Sequence, residues 1–151
     1  MSRKLPGMRR HSGFTLIELM IAVIVIAILT AIAYPSYKSH LMRGYRSAGK
    51  QFLADVAQRQ EQYLLDQRQY APTLAALNMT VPAEVAARYQ APAFTVPAGA
   101  TPPTYSISLS PAAAGIMTGD GALIINSLGQ RWRDTNNNGT YEAASDPSWE
   151  R

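Results

Sequence analysis

The chain contains no cysteine, so neither a disulfide framework nor a thiolate metal site is available to it. It has only two histidines, His11 and His40, and no motif places a base beside a nucleophile. Gly119-Asp120-Gly121 reads as a turn, not a phosphate loop. These absences argue against an enzyme and for a structural or interaction protein. Charge is scarce as well: 16% of residues are charged against 47% apolar, in a chain of 151 residues with room for one domain. That composition suits either a soluble core or a membrane segment, so the position of the apolar residues has to decide.

They are densest near the N-terminus. Residues 14 to 34 are apolar apart from Glu18 and three threonine or tyrosine hydroxyls, and a helix of that length spans about 30 Å, the thickness of a bilayer's hydrocarbon core. Arg3, Lys4, Arg9 and Arg10 precede it, and the polar bulk of the chain follows. Cationic flanks stay cytoplasmic, so the C-terminal part is expected to face outward from the inner membrane. A secretory signal peptide would carry its small-residue cleavage site after the apolar stretch. Here Gly13 comes before it and is followed by Phe14-Thr15-Leu16-Ile17-Glu18, so cleavage at Gly13 would leave the apolar helix on the mature protein. This arrangement resembles the class III signal of type IV prepilins.

The resemblance implies a leader peptide, 1–13, cut after Gly13 by a prepilin peptidase that also methylates the new amine of Phe14. It implies a transmembrane and filament-core helix over 14–36, then a globular pilin head over 37–151. Glu18 is the informative polar residue, because a carboxylate in the bilayer costs about 2.5–3.5 kcal/mol and needs a partner or a proton. In pilins this glutamate offsets the N-terminal amine of a neighbouring subunit during assembly. A glutamate that snorkels to the headgroups is the plainer alternative. Pro35 removes a backbone donor and disfavours helical geometry at Tyr34, so a bend or local melting is expected there.

The leader also explains the basicity. The formal charge is +4, and removal of the four leader cations leaves ten Lys/Arg against ten Asp/Glu. A generally basic nucleic-acid binder thereby loses its main support.

Beyond Pro35 the helix continues in amphipathic form. Tyr45, Ala48, Gly49, Phe52, Leu53, Val56, Gln60, Tyr63 and Leu64 recur at three- and four-residue intervals, while Arg46, Lys50, Asp55, Arg59 and Glu61 are expected to stay wet. Lys38, His40, Arg43, Arg46 and Lys50 form a basic cluster suited to lipid headgroups or to acidic side chains of neighbouring subunits. Residues 67 to 103 hold six prolines, which predicts a long loop with at most one short helix around Thr73 to Leu77. Tyr105, Ile107 and Leu109 alternate with serines, predicting a strand. A second is expected over Ala122 to Asn126, and a third over Gln130 to Arg133. The fold class is therefore α+β: a long helix packed on a small antiparallel sheet. The stretch from Tyr105 to Trp132 resembles the C-terminal half of PilE-like minor pilins, although members commonly close this region with a disulfide that a cysteine-free chain cannot form.

The C-terminal loop offers another means of closure. Asp134, Asn136, Asn138, Thr140 and Glu142 fall at alternating positions with Gly139 at the sixth, as in the first part of an EF-hand-type calcium loop. The twelfth position is Ser145, with Asp146 after it. A solvated Asn/Gly turn explains the same composition without Ca2+, and no cofactor is required. Trp149 reads as a packing anchor.

The function expected from these readings is a structural subunit, a minor pilin of a type IV pilus, in motility, adhesion or DNA uptake. Its partners are other pilin subunits, the peptidase, the inner-membrane assembly platform and lipid before assembly; it ends at the cell surface. A pseudopilin of a type II secretion system shares the same leader and helix and is the alternative. A DNA-receptor pilin is a third, lesser reading. From Ala71 to Arg151 four arginines face six acids, so direct DNA binding is not expected of the head.

Overall fold

The computed structural model describes residues 14–142 and 146–149. The chain divides into two compact units, one through Tyr37 and one from Lys38 onward.

Helix α1, Leu16–Gln67, runs through the boundary between them. In the first unit its apolar side chains have no cover: Ile24, Leu29 and Ile32 all lie exposed. A helix of that length and composition can cross a membrane. The local melting expected at Pro35 is absent, since α1 stays helical on both sides of it. Proline removes one intrahelical bond, whereas propagation through the many good helix formers around it is cooperative, and propagation wins.

In the second unit the predicted stripe of α1 is the one that turns inward. Gly49, Phe52, Leu53, Val56 and Gln60 are buried, and Tyr45, Ala48, Tyr63 and Leu64 pack at the rim. Gln60 is a polar residue in that row, and both ends of its amide are satisfied: Nε2 donates to the Ala71 carbonyl and Oε1 accepts from the Ala71 amide, each at 2.8 Å. It fixes the chain reversal after α1, where an unpaired amide would cost about 1–3 kcal/mol.

The segment after α1 is more ordered than its prolines suggest. The expected helix near Thr73 is a single 3-10 turn, Ala75–Leu77, and two further elements follow it: α2, Ala83–Ala86, and strand β1, Ala93–Thr95. Helix α2 starts directly after its N-cap Pro82, whose missing N–H takes no part in the helix and whose carbonyl accepts from the Val85 and Ala86 amides. Strand β1 exists by pairing with β2, Ser106–Leu109. The two remaining strands are β3, Ala122–Asn126, and β4, Arg131–Asp134, the latter displaced by one residue from the predicted Gln130–Arg133. The four strands form an antiparallel sheet in sequence order.

Register sorts the side chains. Ile107 opposes Ile125 and Leu109 opposes Leu123, and these four join Phe52, Leu53 and Val56 in the main core. The opposite face pairs Ser106 with Asn126 and Ile124 with Trp132. Ala122, Ile124 and Trp132 make a smaller cluster there, with the Tyr141 ring tilted against Trp132 at 5.5 Å. This second cover is why β3 reads as apolar on both faces.

Candidate functional site

Two groups of residues carry the expected chemistry, and a third is assembled by the fold. Gly13 lies outside the described residues; Phe14 is the first described and is 83% exposed. Next to it, Glu18 is already engaged. Its Oε2 accepts from the Thr15 amide at 2.9 Å and from the Thr15 hydroxyl at 2.8 Å, while the Glu18 amide donates back to Thr15 Oγ1 at 3.3 Å. This is a capping box: two side chains three residues apart satisfy amides that the first helical turn leaves without partners. The Thr-x-x-Glu spacing that signals it stands in the sequence at Thr15 to Glu18, inside a stretch read for hydropathy and for the prepilin motif, not for helix capping.

The second group is the C-terminal loop. Asp134 and Asp146 are both buried. Asp134 accepts from the Gly139 amide at 2.8 Å and the Asn138 amide at 3.3 Å; Asp146 accepts from the Glu142 amide at 3.0 Å and the Thr135 amide at 3.3 Å. The Asn136 side-chain oxygen accepts from the Asn138 amide, and that of Asn138 from the Thr140 amide. The Glu142 carboxylate accepts from the Asn136 and Asn138 side chains. Ser145 lies outside the described residues. Asp134, Asn136, Asn138, Glu142 and Asp146 therefore do gather in one loop, and each accepts there from backbone or side-chain amides. Among the described residues no three His, Cys, Asp or Glu side chains converge as metal ligands would.

The third group has no counterpart in the sequence pattern. Asp120, in the turn ahead of β3, is buried between two arginines. Arg46 of α1 donates to it through Nε at 2.7 Å and also through Nη2, and Arg133 of β4 donates through Nη1 at 3.2 Å. The hydrogen bond to Asp120 is the main reason the Arg46 guanidinium is held above its ordinary pKa. One carboxylate thus ties the helix to both sides of the β3–β4 hairpin. The Tyr89 hydroxyl is buried without a hydrogen-bond partner among the described residues, and burial, with the charge of Asp120, pushes its pKa up. Lys50, one helical turn beyond Arg46, donates from Nζ to the Trp149 carbonyl at 2.7 Å, and Trp149 Nε1 donates to the Trp132 carbonyl at 2.8 Å. With the Arg133 amide donating to the Pro147 carbonyl at 3.1 Å, these bonds close the C-terminal end of the head. Arg46 and Lys50 are therefore half-buried and bonded, where the sequence pattern left them wet; Asp55, Arg59 and Glu61 are exposed as expected.

Comparison with known proteins agrees with this architecture. Residues 35–120 match the family described as type IV minor pilin ComP, DNA uptake sequence receptor, and residues 8–34 match the prokaryotic N-terminal methylation motif. The type IV wide pilus major component PilA4 of Thermus thermophilus is 39% identical over 70 residues, 46% of this chain and 53% of that protein. The fimbrial protein EcpB of Eikenella corrodens is 53% identical over 36 residues, 24% of this chain and 23% of EcpB. The chain thus spans about half the length of the first relative and about a quarter of the second. No solved structure matches.

Proposed function

Since the chain belongs to the type IV minor pilin ComP family, we propose that this pilus subunit serves DNA uptake, its head acting as a receptor for DNA and its N-terminal helix as the part that enters the filament. The observation that carries the reading is the family match over 35–120, which takes in the core-facing half of α1, β1, β2 and Asp120. It moves the DNA-receptor reading ahead of the order given by charge counting. It also favours a pilus over a secretion pseudopilus.

In this reading the chain is cut after Gly13, the amine of Phe14 is methylated, and Glu18 meets that amine on a neighbouring subunit. Pro35 is a weak point in the helix that assembly can exploit. The partners are other pilins, the peptidase and the inner-membrane platform; the head faces away from the cytoplasm.

The test is a gene deletion in the native host, scored separately for surface pili and for transformation by added DNA. Loss of transformation that returns on re-expression is the expected result. Transformation at the wild-type frequency in the deletion strain would remove the DNA reading.

We read the described part of this loop, residues 134–142 with Asp146, as a turn capped by its own amides, which bond both buried carboxylates, in preference to a calcium seat. Calcium added to the purified chain should leave the melting temperature of the head unchanged. A ligand at a hundred times its dissociation constant would add about 2.7 kcal/mol, so a rise of several degrees would restore the calcium reading.

A further inference from the structure

Arg43, Arg46 and Lys50 from one side of α1, with Arg133 from β4, line a cavity of about 270 Å³ that Trp149 also borders. The anion bonded to them is Asp120, which holds Arg46 and Arg133. Arg43 is exposed, and its guanidinium donates to the Ser39 hydroxyl at 3.0 Å. Lys50 spends one proton on the Trp149 carbonyl and keeps two. Among the described residues, four cations thus border the cavity, and the one carboxylate bonded there, Asp120, engages two of them. The crowding acts on Lys50, whose pKa is depressed by burial first and then by the charges of Arg46 and Arg133. An anion seated among these groups would relieve the repulsion.

We propose that this cleft seats a phosphodiester of duplex DNA, with Arg43 and Lys50 as the donors that turn to it and Arg46 and Arg133 as cations that Asp120 holds in position. The proposal rests on the DNA-receptor reading above. The ComP match favours DNA over other phosphate sources, since residues 35–120 include three of the four cations and the carboxylate that orients them. Arg43 presents a planar fork suited to two phosphate oxygens, whereas the Nε and Nη2 of Arg46 are committed to Asp120. Counting charge along the head alone hides this site, because most of its cations come from α1.

The test measures binding of a labelled duplex to the full chain in nonionic detergent by fluorescence anisotropy across a salt series. Against the wild type stand two double variants, Arg43→Gln with Lys50→Gln in the cleft, and Arg59→Gln with Arg68→Gln at exposed positions outside it. Neither double variant touches the Asp120 bridge, and a thermal melt checks that each is folded. The cleft variant should bind at least about tenfold more weakly, with a salt slope smaller by about two, and the outer variant should match the wild type. Equal losses in both variants, or no loss in the cleft variant, overturn the cleft while leaving DNA binding in place. No duplex binding by the wild type overturns both the cleft and the receptor reading. A cleft variant that keeps DNA but loses binding to phosphatidylglycerol vesicles makes this a lipid seat, which also overturns the proposal.

Discussion

Substituting Glu18→Ala should leave the chain processed and membrane-inserted but nearly absent from sheared filaments. In the single chain Glu18 has no need of a neighbour, because the amide and hydroxyl of Thr15 satisfy it. Assembly changes its surroundings. The exposed apolar face of α1 must be covered by other helices, and a carboxylate carried into that setting unpaired costs about 2.5–3.5 kcal/mol. On the assembly role proposed for Glu18, pairing with the amine of Phe14 on an adjacent subunit removes the cost and fixes the axial position of one helix against the next. Loss of a pairing of that size corresponds to roughly a hundredfold in incorporation. Immunoblots of sheared pili and of membranes from one culture measure the ratio. A Glu18→Gln chain separates the two roles, since an amide oxygen can still cap Thr15 while the charge is gone. Filaments with normal content of the Ala variant would refute the assembly role; normal content of the Gln variant alone would assign it to capping.

The second large effect is expected at Gly121. This residue has φ +84°, and a Cβ placed on it would stand 2.4 Å from the Asp134 carbonyl oxygen and 3.2 Å from the Thr135 Cα. Both obstacles are backbone, at the end of the strand that pairs with β3, so neither can swing aside. Gly121→Ala should combine left-handed strain of about 1–2 kcal/mol with a clash of about 1–3 kcal/mol. Gly119 provides the control. Its φ is +78°, yet beyond its own chain neighbours no heavy atom among the described residues lies within 4 Å of where its Cβ would stand, so Gly119→Ala should cost about 1–2 kcal/mol from the backbone alone. Thermal unfolding of the purified chain compares them, at about 2–8 °C per kcal/mol for domains of this size range. Equal melting temperatures would show that the hairpin can yield at Asp134.

Much of the architecture is legible in the sequence. The α1 stripe is set by three- and four-residue spacing from Tyr45 to Leu64, and burial follows it residue by residue. Strand β2 is legible because serine alternates with Tyr105, Ile107 and Leu109, and β3 because apolar residues run without interruption. Elements α2 and β1 are not. Four and three residues long, they have no period to detect, and β1 gains its identity from pairing with β2. At Pro35 only the melting half of the expectation is set aside, because the local rule is applied to a cooperative helix that continues through it. At the candidate site, the Thr15–Glu18 box is available as spacing and is masked by the hydropathy around it. The Arg46–Asp120 contact spans 74 residues and has no local signature at all. A charge count split at Ala71 separates Arg43, Arg46 and Lys50 from Arg133, which the fold brings to one cavity.

The closure of the head has a consequence for the conditions it tolerates. Its last turn is fastened by the Lys50–Trp149 and Trp149–Trp132 hydrogen bonds, and the helix is fastened to the sheet through Asp120. None of these links is covalent, and none forms by oxidation. The head can therefore mature without a thiol oxidase, and reductants have nothing in it to break. A reductant that opens a disulfide-closed relative would thus leave this head shut, with its helix still bonded to the hairpin through Asp120.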